Sequence, residues 1–451
     1  MVAVPMALWV SPLDLQPTSK HAIAITLFMI IGWAFEVLDP GLTGLLGCYL
    51  FWALGVVKVD VAFSGFADDT AWFVVGAILF GAMAEKSGLA RRIAYSVMLR
   101  VGTSYSRLLL GLIIADAVMT FFVPSGVPRV IIMATIAIGL IEAFGLGPGS
   151  NVGRGMLLIL TYAASVFDKT IIAGAATITA RGAIEQFGHV EVLYSRWLLA
   201  YLPSDILIIV VAWRLILRFF PPEILSLPGG KQYLQNELAK MGKWKPVEKK
   251  SLVLMVLAIA LWMTDFLHHI SPSVVGLGIG LLAVLPIVGV LDIEELKRVN
   301  YLLVFFVGAV ISMGKVLTAT KSIDVLTRAL FAWLTPVMGH TALSSFALYW
   351  TGFIYHIFLA SGLSMLGTSL PGLMNYASAH HLNALALGMV WTFSSGATVF
   401  IYQNAVLIVG YSYGYFTSKD LFRLGLWMTV IDSLLLLIVV PFYWPLIGIG
   451  G

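Results

Sequence analysis

Two Ser-Gly-apolar triplets, Ser125-Gly126-Val127 after Phe-Phe-Val-Pro and Ser361-Gly362-Leu363 after Ile-Phe-Leu-Ala, interrupt long apolar stretches at corresponding points of the two halves of the chain. A break of this kind leaves the first N–H groups of a half-helix without partners, and those groups can hold an anion with help from the positive end of the helix dipole. Glycine permits close approach, the serine hydroxyl adds one donor or acceptor, and nearby carbonyls suit a hard cation. Val127 and Leu363 bring no hydroxyl and favour a partly apolar substrate. A plainer reading is that Gly126 and Gly362 only permit a tight turn between packed half-helices. The symmetric recurrence argues for the binding role.

The elements that position these triplets follow from composition. With 60% apolar and 11% charged residues and a mean hydropathy of +0.96, the chain belongs in a bilayer. Apolar stretches at 20 to 36, 41 to 57, 71 to 85, 155 to 188, 194 to 220, 250 to 267, 273 to 290, 300 to 318, 383 to 413 and 420 to 446 give about ten spans, with helices of about 20 residues needed to cross the hydrocarbon. Stretches 105 to 142 and 341 to 376 carry the triplets and read as re-entrant hairpins. Residues 1–19 hold a run broken by Pro5, Ser11 and Pro12, too weak for a signal peptide or a further span. Cys48, alone in an apolar segment, rules out a disulfide framework or a cysteine metal site.

Lys86, Arg91, Arg92, Arg100 and Arg107 form one cationic cluster, and Arg214, Arg218, Lys231, Lys240, Lys243, Lys245, Lys249 and Lys250 form another. With single crossings and returning hairpins both clusters fall on one face, which the positive-inside bias makes cytoplasmic. The net charge of +4 is thereby accounted for by topology, without nucleic acid. The connection with Lys58, Asp60, Asp68 and Asp69 and the turn with Asp265, His268 and His269 then lie outside.

The halves echo each other: Phe73–Leu79 resembles Phe305–Ile311, and an Arg precedes an Asp by nine residues at Arg196 and Asp205 and at Arg423 and Asp432. Five spans per half is odd, so the second half starts on the opposite side. The fold expected is all-α and polytopic, with inverted-topology repeats at 20–220 and 250–446, a cytoplasmic linker at 221–249 marked by Pro221-Pro222, Pro228 and Gly229-Gly230, and one hairpin opening from each face. Glu85 to Gly102 and Lys321 to Leu334 mix cations with apolar residues and read as amphipathic interface helices.

AFSGFADDTAWFVVGAILFGAMAEKSGLARRIA, FFVPSGVPR, RWLLAYLPSDI with FFPPEI, and VGYSYGYFTSKDLFRLGL resemble, in order and spacing, the divalent anion/sodium symporter family over nearly the whole chain. The resemblance implies a homodimer whose protomers each pair a scaffold with a moving transport part that carries both hairpins and two broken helices, working as an elevator. It implies di- or tricarboxylates or sulfate as substrates and sodium as coupling ion, in a prokaryotic cytoplasmic (inner) membrane. Family tips read Ser-Asn-Thr; here the serines remain while the other positions are Gly126, Val127, Gly362 and Leu363. The family breaks, Ala-Pro-Asn and Thr-Pro-Pro-Asn, fall at Gly174 to Thr179 and at Ser394 to Asn404.

The substrate and ion candidates are therefore Ser125, Gly126, Val127, Ala176, Thr177, Thr179, Ser361, Gly362, Leu363, Ser395, Gly396, Thr398, Gln403 and Asn404, with Gln403 and Asn404 offering amide oxygens to a cation and amide donors to an anion. Ionisable groups inside apolar stretches are costly, which makes Asp116, Arg129, Asp168, Lys169 and His356 candidates for charge coupling. Arg129 is equally compatible with a structural bond to the hairpin, His356 with a hydrogen-bonded helix histidine, Asp205 and Asp432 with helix packing, and Ser165 and Ser433 with back-bonding to carbonyls. The expected function is secondary active transport of a small, divalent anion (dicarboxylate, sulfate or sulfonate-like) with sodium. The alternatives are proton-coupled anion transport, or sodium/proton or oxyanion antiport through Asp116 and Asp168. No HExxH, GxSxG or Walker motif supports an enzyme, and His380-His381 lacks companions for a metal site, so neither cofactor nor metal beyond sodium is expected.

Overall fold

In a computed structural model that describes all residues except 13–14, 103, 224–228, 360 and 451, the described chain is helical and without strands. The reading at Pro228 lies outside the described residues. The chain opens with α1 (Ala3–Val10), which packs on α2 (Pro17–Ala34); α3 (Pro40–Ala53) starts at a proline and is capped by Asp39, which accepts from the Gly41 and Leu42 N–H groups. After α4 (Val59–Ala62), Asp68 caps α5 (Asp69–Ser87) through the Thr70 N–H. Gly88, at φ 80°, ends α5, and α6 (Leu89–Val101) leaves at 68° to it, as the mixed cationic and apolar pattern predicts.

The first hairpin is α7 (Tyr105–Thr120) and α8 (Gly126–Ala143). Span 155 to 188 is two half-helices, α9 (Asn151–Phe167) and α10 (Ala175–Gly188), followed by α11 (Tyr194–Phe219). The linker holds α12 (Gly230–Lys240), and then come α13 (Pro246–Met263), α14 (Asp265–His268), α15 (Pro272–Val284), α16 (Ile293–Lys297), α17 (Tyr301–Ala319) and the short α18 (Ile323–Phe331). The second hairpin is α19 (Thr341–Phe358) and α20 (Gly362–Ala379); α21 (Ala384–Ser394) and α22 (Ala405–Ser412) flank the second break, and α23 (Ser418–Ile438) closes the bundle.

Among the described residues four runs are by themselves long and apolar enough to span a bilayer: α8, α11, α17 and Ser418–Ile447. The pair α5 and α6 qualifies only when taken together across its bend. Ten expected spans thus do not become ten long unbroken helices, because two are split and others, such as α3 and α15, stop at Ala53 and Val284, before their expected ends. The first break also lies earlier than expected. It runs from Asp168 to Gly174, so Thr177 and Thr179 already belong to α10, where their hydroxyls donate to the Gly174 and Ala175 carbonyls. Apolar side chains such as Val253, Leu267, Ile287, Leu434 and Leu446 face outward, as a hydrocarbon solvent permits.

Contacts recur between the halves. α5 packs on α15 and α17 on α3; α8 meets α22 and α20 meets α10; α7 lies on α9 and α19 on α21. Glycines bring the backbones together at the first two crossings. A Cβ on Gly76 would lie 2.5 Å from the Gly276 carbonyl carbon, and one on Gly41 would lie 2.0 Å from the Leu302 oxygen.

Polar ties separate to two ends. At one, Lys86 pairs with Asp292 and Glu295 (both 2.9 Å), Arg154 with Asp420 (2.5 Å), and Arg92 with Glu248 (2.9 Å), Arg92 also donating to the Gly242 and Met241 carbonyls, which brings part of the first cationic cluster beside the linker. At the other, Arg181 approaches Asp69 (3.6 Å) and donates to Ser273 (2.8 Å), while Ser271 donates to Asp69 (2.8 Å). Glu223, in the Phe-Phe-Pro-Pro-Glu segment, accepts from the Asn151 and Val152 N–H groups at the start of α9. Partial burial acts to raise its carboxyl, but these N–H donors prevail and hold it below the ordinary glutamate range.

Two outcomes follow. Gly76→Ala should lower stability by about 1–3 kcal/mol because α5 and α15 must separate, whereas Gly278→Ala, whose Cβ meets nothing within 4 Å, should not; unfolding midpoints in micelles compare them. Glu223→Gln should destabilise at neutral pH. The depressed carboxyl contributes stability above the unfolded glutamate range that is lost as pH falls through its folded value, so the midpoints of parent and variant should converge in acid.

Candidate functional site at the meeting of tips and breaks

A cavity of about 250 Å³ lies where both hairpin tips meet both helix breaks. Ser125, Gly126 and Val127 face Ser361, Gly362 and Leu363 across it, with Asp168, Lys169, Ala176, Thr177, Ser395, Gly396, Gln403 and Asn404 on the remaining walls. Four helices begin at this cavity: α8 at Gly126, α10 at Ala175, α20 at Gly362 and α22 at Ala405. Each directs its positive end inward, so the cavity is built for negative charge before any side chain is counted. A larger space of about 600 Å³ adjoins it, sharing Ser125, Gly174 and Ala175, and extends to Lys86, Glu295 and Arg298 at the cationic end of the molecule.

At the first tip the Ser125 side chain does not cap α8, and the residue is exposed. The cap comes from Asp168, whose Oδ1 accepts from the Gly126 N–H at 2.9 Å. A Cβ on Gly126 would lie 2.6 Å from Val406 and 3.3 Å from the Asp168 carboxylate, so glycine here allows close packing of α8 on α9 and α22. Arg129 is wholly buried behind this tip. It donates to the Thr120 hydroxyl (2.7 Å) and the Ala164 carbonyl (2.8 Å), lies 3.2 Å from Asp116 and comes within 4.0 Å of Asp168. Neither Arg129 nor Asp116 lines the cavity; their charges lock the two hairpin legs to α9.

The second tip is built differently. The Ser361 hydroxyl caps α20, accepting from the Ser364 N–H at 3.2 Å and donating to the Ser364 hydroxyl at 3.1 Å. The Gln403 Oε1 accepts from the Val399 and Phe400 N–H groups (both 2.8 Å), so this amide oxygen holds the turn between α21 and α22 and is not free for a cation. The Asn404 Oδ1 caps α22 at the Val406 N–H (2.9 Å), and its Nδ2 donates to Ser165 (2.9 Å). His356 bonds through Nε2 to the Gln403 carbonyl (3.0 Å), is buried, and stands behind the turn as a structural histidine. Thr179 and Thr398 lie off the cavity, whereas Ser395 lines it with its hydroxyl turned back to the Thr392 carbonyl (2.7 Å).

Asp205 accepts from Thr170 (2.6 Å) and Asp432 from Tyr349 (3.3 Å), both fully inside the helix packing. Ser433 bonds back to Val430, as a helix serine does, but Ser165 departs from that pattern. It lines the cavity and joins α9 to Asn404. The available signal was its position one turn before Asp168, on the face that must meet the break.

Arg129→Gln should strand Asp116 in the interior and cost about 3–5 kcal/mol, while Arg129→Met combined with Asp116→Leu, which removes both charges, should recover most of that loss. Unfolding midpoints of the purified variants measure both.

A family model described as the sodium:sulfate symporter transmembrane region matches residues 1–449. A Cupriavidus necator protein named only as a membrane protein is 26% identical over 99% of this chain and 87% of its own. The putative malate transporter YflS of Bacillus subtilis is 27% identical over 66% of this chain and 63% of its own. The sodium-dependent dicarboxylate transporter SdcS of Staphylococcus aureus is 28% identical over 57% of this chain, an alignment that spans 51% of that relative. The structure of the Neisseria gonorrhoeae efflux pump MtrF is similar with a TM-score of 0.61 over 98% of this chain and 97% of that one, at 10% identity, which is a likeness of fold alone. With the family match running along the whole helical bundle, this chain belongs to the divalent anion/sodium symporter family, a family of multi-pass membrane transporters and not of enzymes.

Proposed function

We propose that this protein is a secondary active transporter that carries a small divalent anion, a dicarboxylate in the first place, together with sodium. The observation that carries the reading is the convergence of four helix N-termini on one cavity between two tips. Such a cavity attracts an anion through backbone dipoles and needs no fixed cluster of arginines. At about 250 Å³ it sits below the range of drug-sized pockets and suits a small substrate. Val127 and Leu363 supply an apolar wall for a short carbon chain, and Ser125 supplies the free hydroxyl. The names of the relatives from Bacillus subtilis and Staphylococcus aureus point to malate and dicarboxylates, and the latter to sodium. Asp168, the acid on the cavity wall, together with tip carbonyls, is the natural neighbourhood for the sodium.

In this reading, inverted repeats at 20–220 and 250–446, joined by the linker at 221–249, alternate access by moving the hairpin-bearing part against the remaining helices as an elevator, in a homodimer. The larger space reaching Lys86 and Glu295 supports an orientation open toward the cationic, cytoplasmic end.

Uptake of labelled succinate, malate and sulfate into proteoliposomes tests this. Uptake of one of them should require an inward sodium gradient and fail with choline. Ser125→Ala should weaken it by about 10-fold or more, the scale of a hydrogen bond to a charged group. If a pH gradient alone drives uptake and Asp168→Asn abolishes it while Ser125→Ala does not, coupling is to protons and the sodium reading is wrong.

A further inference from the structure

Among the described residues, Lys169 is the one cation on the cavity wall. It follows Asp168 in the first break and is 5% exposed, and its Nζ lies 4.3 Å from the centre of the Phe393 ring on α21. The other buried cation near the tips, Arg129, is committed to Asp116, Thr120 and Ala164. Asp205 and Asp432 each accept from one hydroxyl, Thr170 or Tyr349, and each keeps a second buried oxygen without a hydrogen-bond partner. No carboxylate among the described residues lies within 4.0 Å of the ammonium, the separation that Arg129 keeps from Asp168. The position of the ammonium depends on a residue from the other half. A Cβ on Gly396 would fall 2.2 Å from Nζ and 2.9 Å from Cδ, so the lysine reaches across from the first break into space that glycine leaves at the second.

We propose that Lys169 is the fixed counter-charge of the transported anion, contacting one of its two charged ends beside Gly396, where the second tip and the α21–α22 break meet. The proposal rests on the anion-transporter reading. A buried ammonium resting on an aromatic face with no carboxylate in contact has no charged hydrogen-bond partner, the aromatic contact being worth only about 0.5–2 kcal/mol, and an arriving carboxylate would supply that bond directly. The helix N-termini then hold the opposite end of a dianion, and glycine at position 396 keeps the ammonium within reach of the substrate.

Succinate and sulfate binding to the purified full-length chain, with unfolding midpoints as a check on folding, tests the assignment. Lys169→Met, close to lysine in volume, should weaken binding of the preferred dianion by at least about tenfold, and Lys169→Arg should regain part of it by keeping the charge. Gly396→Ala, which displaces the ammonium, should weaken it too and carries the test if Lys169→Met does not fold. A folded Lys169→Met or Gly396→Ala protein that binds the dianion within about threefold of the parent overturns the proposal while leaving the transporter reading intact. A folded parent protein that binds neither anion, with or without sodium, overturns the transporter reading and this proposal with it.

Discussion

Inside a bilayer every backbone polar group needs a partner, and a helix can stop there only if protein or water takes over the hydrogen bonds it abandons. Among the described residues four helices of this chain begin at breaks inside the bundle, and all four open on the same cavity. Much of the remaining structure answers the cost of those stops. Asp168, Ser361 and Asn404 close three of the exposed N-termini with side-chain acceptors. Gly174 begins α10 without a side-chain cap, and a Cβ there would lie 3.3 Å from the Asp168 carboxylate. The N–H groups that remain open are those a bound anion would complete.

The two tips are equivalent by contact pattern but differ in chemistry. The first is stiffened from behind by the buried pair Arg129 and Asp116, with Thr120 and Ala164 each accepting one Arg129 N–H, and its serine is left free. At the second the hydroxyl is engaged in capping, and the support comes from Gln403 and His356 at the break behind it. A tip with a free hydroxyl on one side and a tip with a capping hydroxyl, beside a lysine that among the described residues has no carboxylate within 4.0 Å, on the other make an asymmetric cavity out of a symmetric plan.

Close helix crossings hold that plan in place. At Gly76 and Gly276, and again at Gly41 and Leu302, backbones approach without side chains between them, so α5, α15, α3 and α17 form a frame of direct helix contacts. The helices that carry the cavity contact each other more than they contact this frame, with α10 as the main bridge to α5 and α17. Ion pairs such as Lys86 with Asp292 and Glu295 lie at the ends, where water can share their solvation.

The amino-acid order alone specified the solvent, the two hairpins and the bent amphipathic helix, because each depends on local composition or on periodicity along a single segment. Ser125 to Val127 and Ser361 to Leu363 were legible as tips for the same reason. Which polar groups remain free was decided only by the tertiary structure. Gln403 and Asp116 looked available and are internally engaged; Arg129, open to either a substrate or a structural role, is bonded to Thr120 and Ala164; Ser165 looked ordinary and lines the cavity; the first break begins at Asp168 and not at Gly174. Partners for these groups come from distant segments, Ala164 for Arg129 and Ser165 for Asn404, which lie 35 and 239 residues away where they bond. No local pattern encodes such pairings, since the energy that selects them, burial without an unsatisfied charge, exists only after the helices have packed.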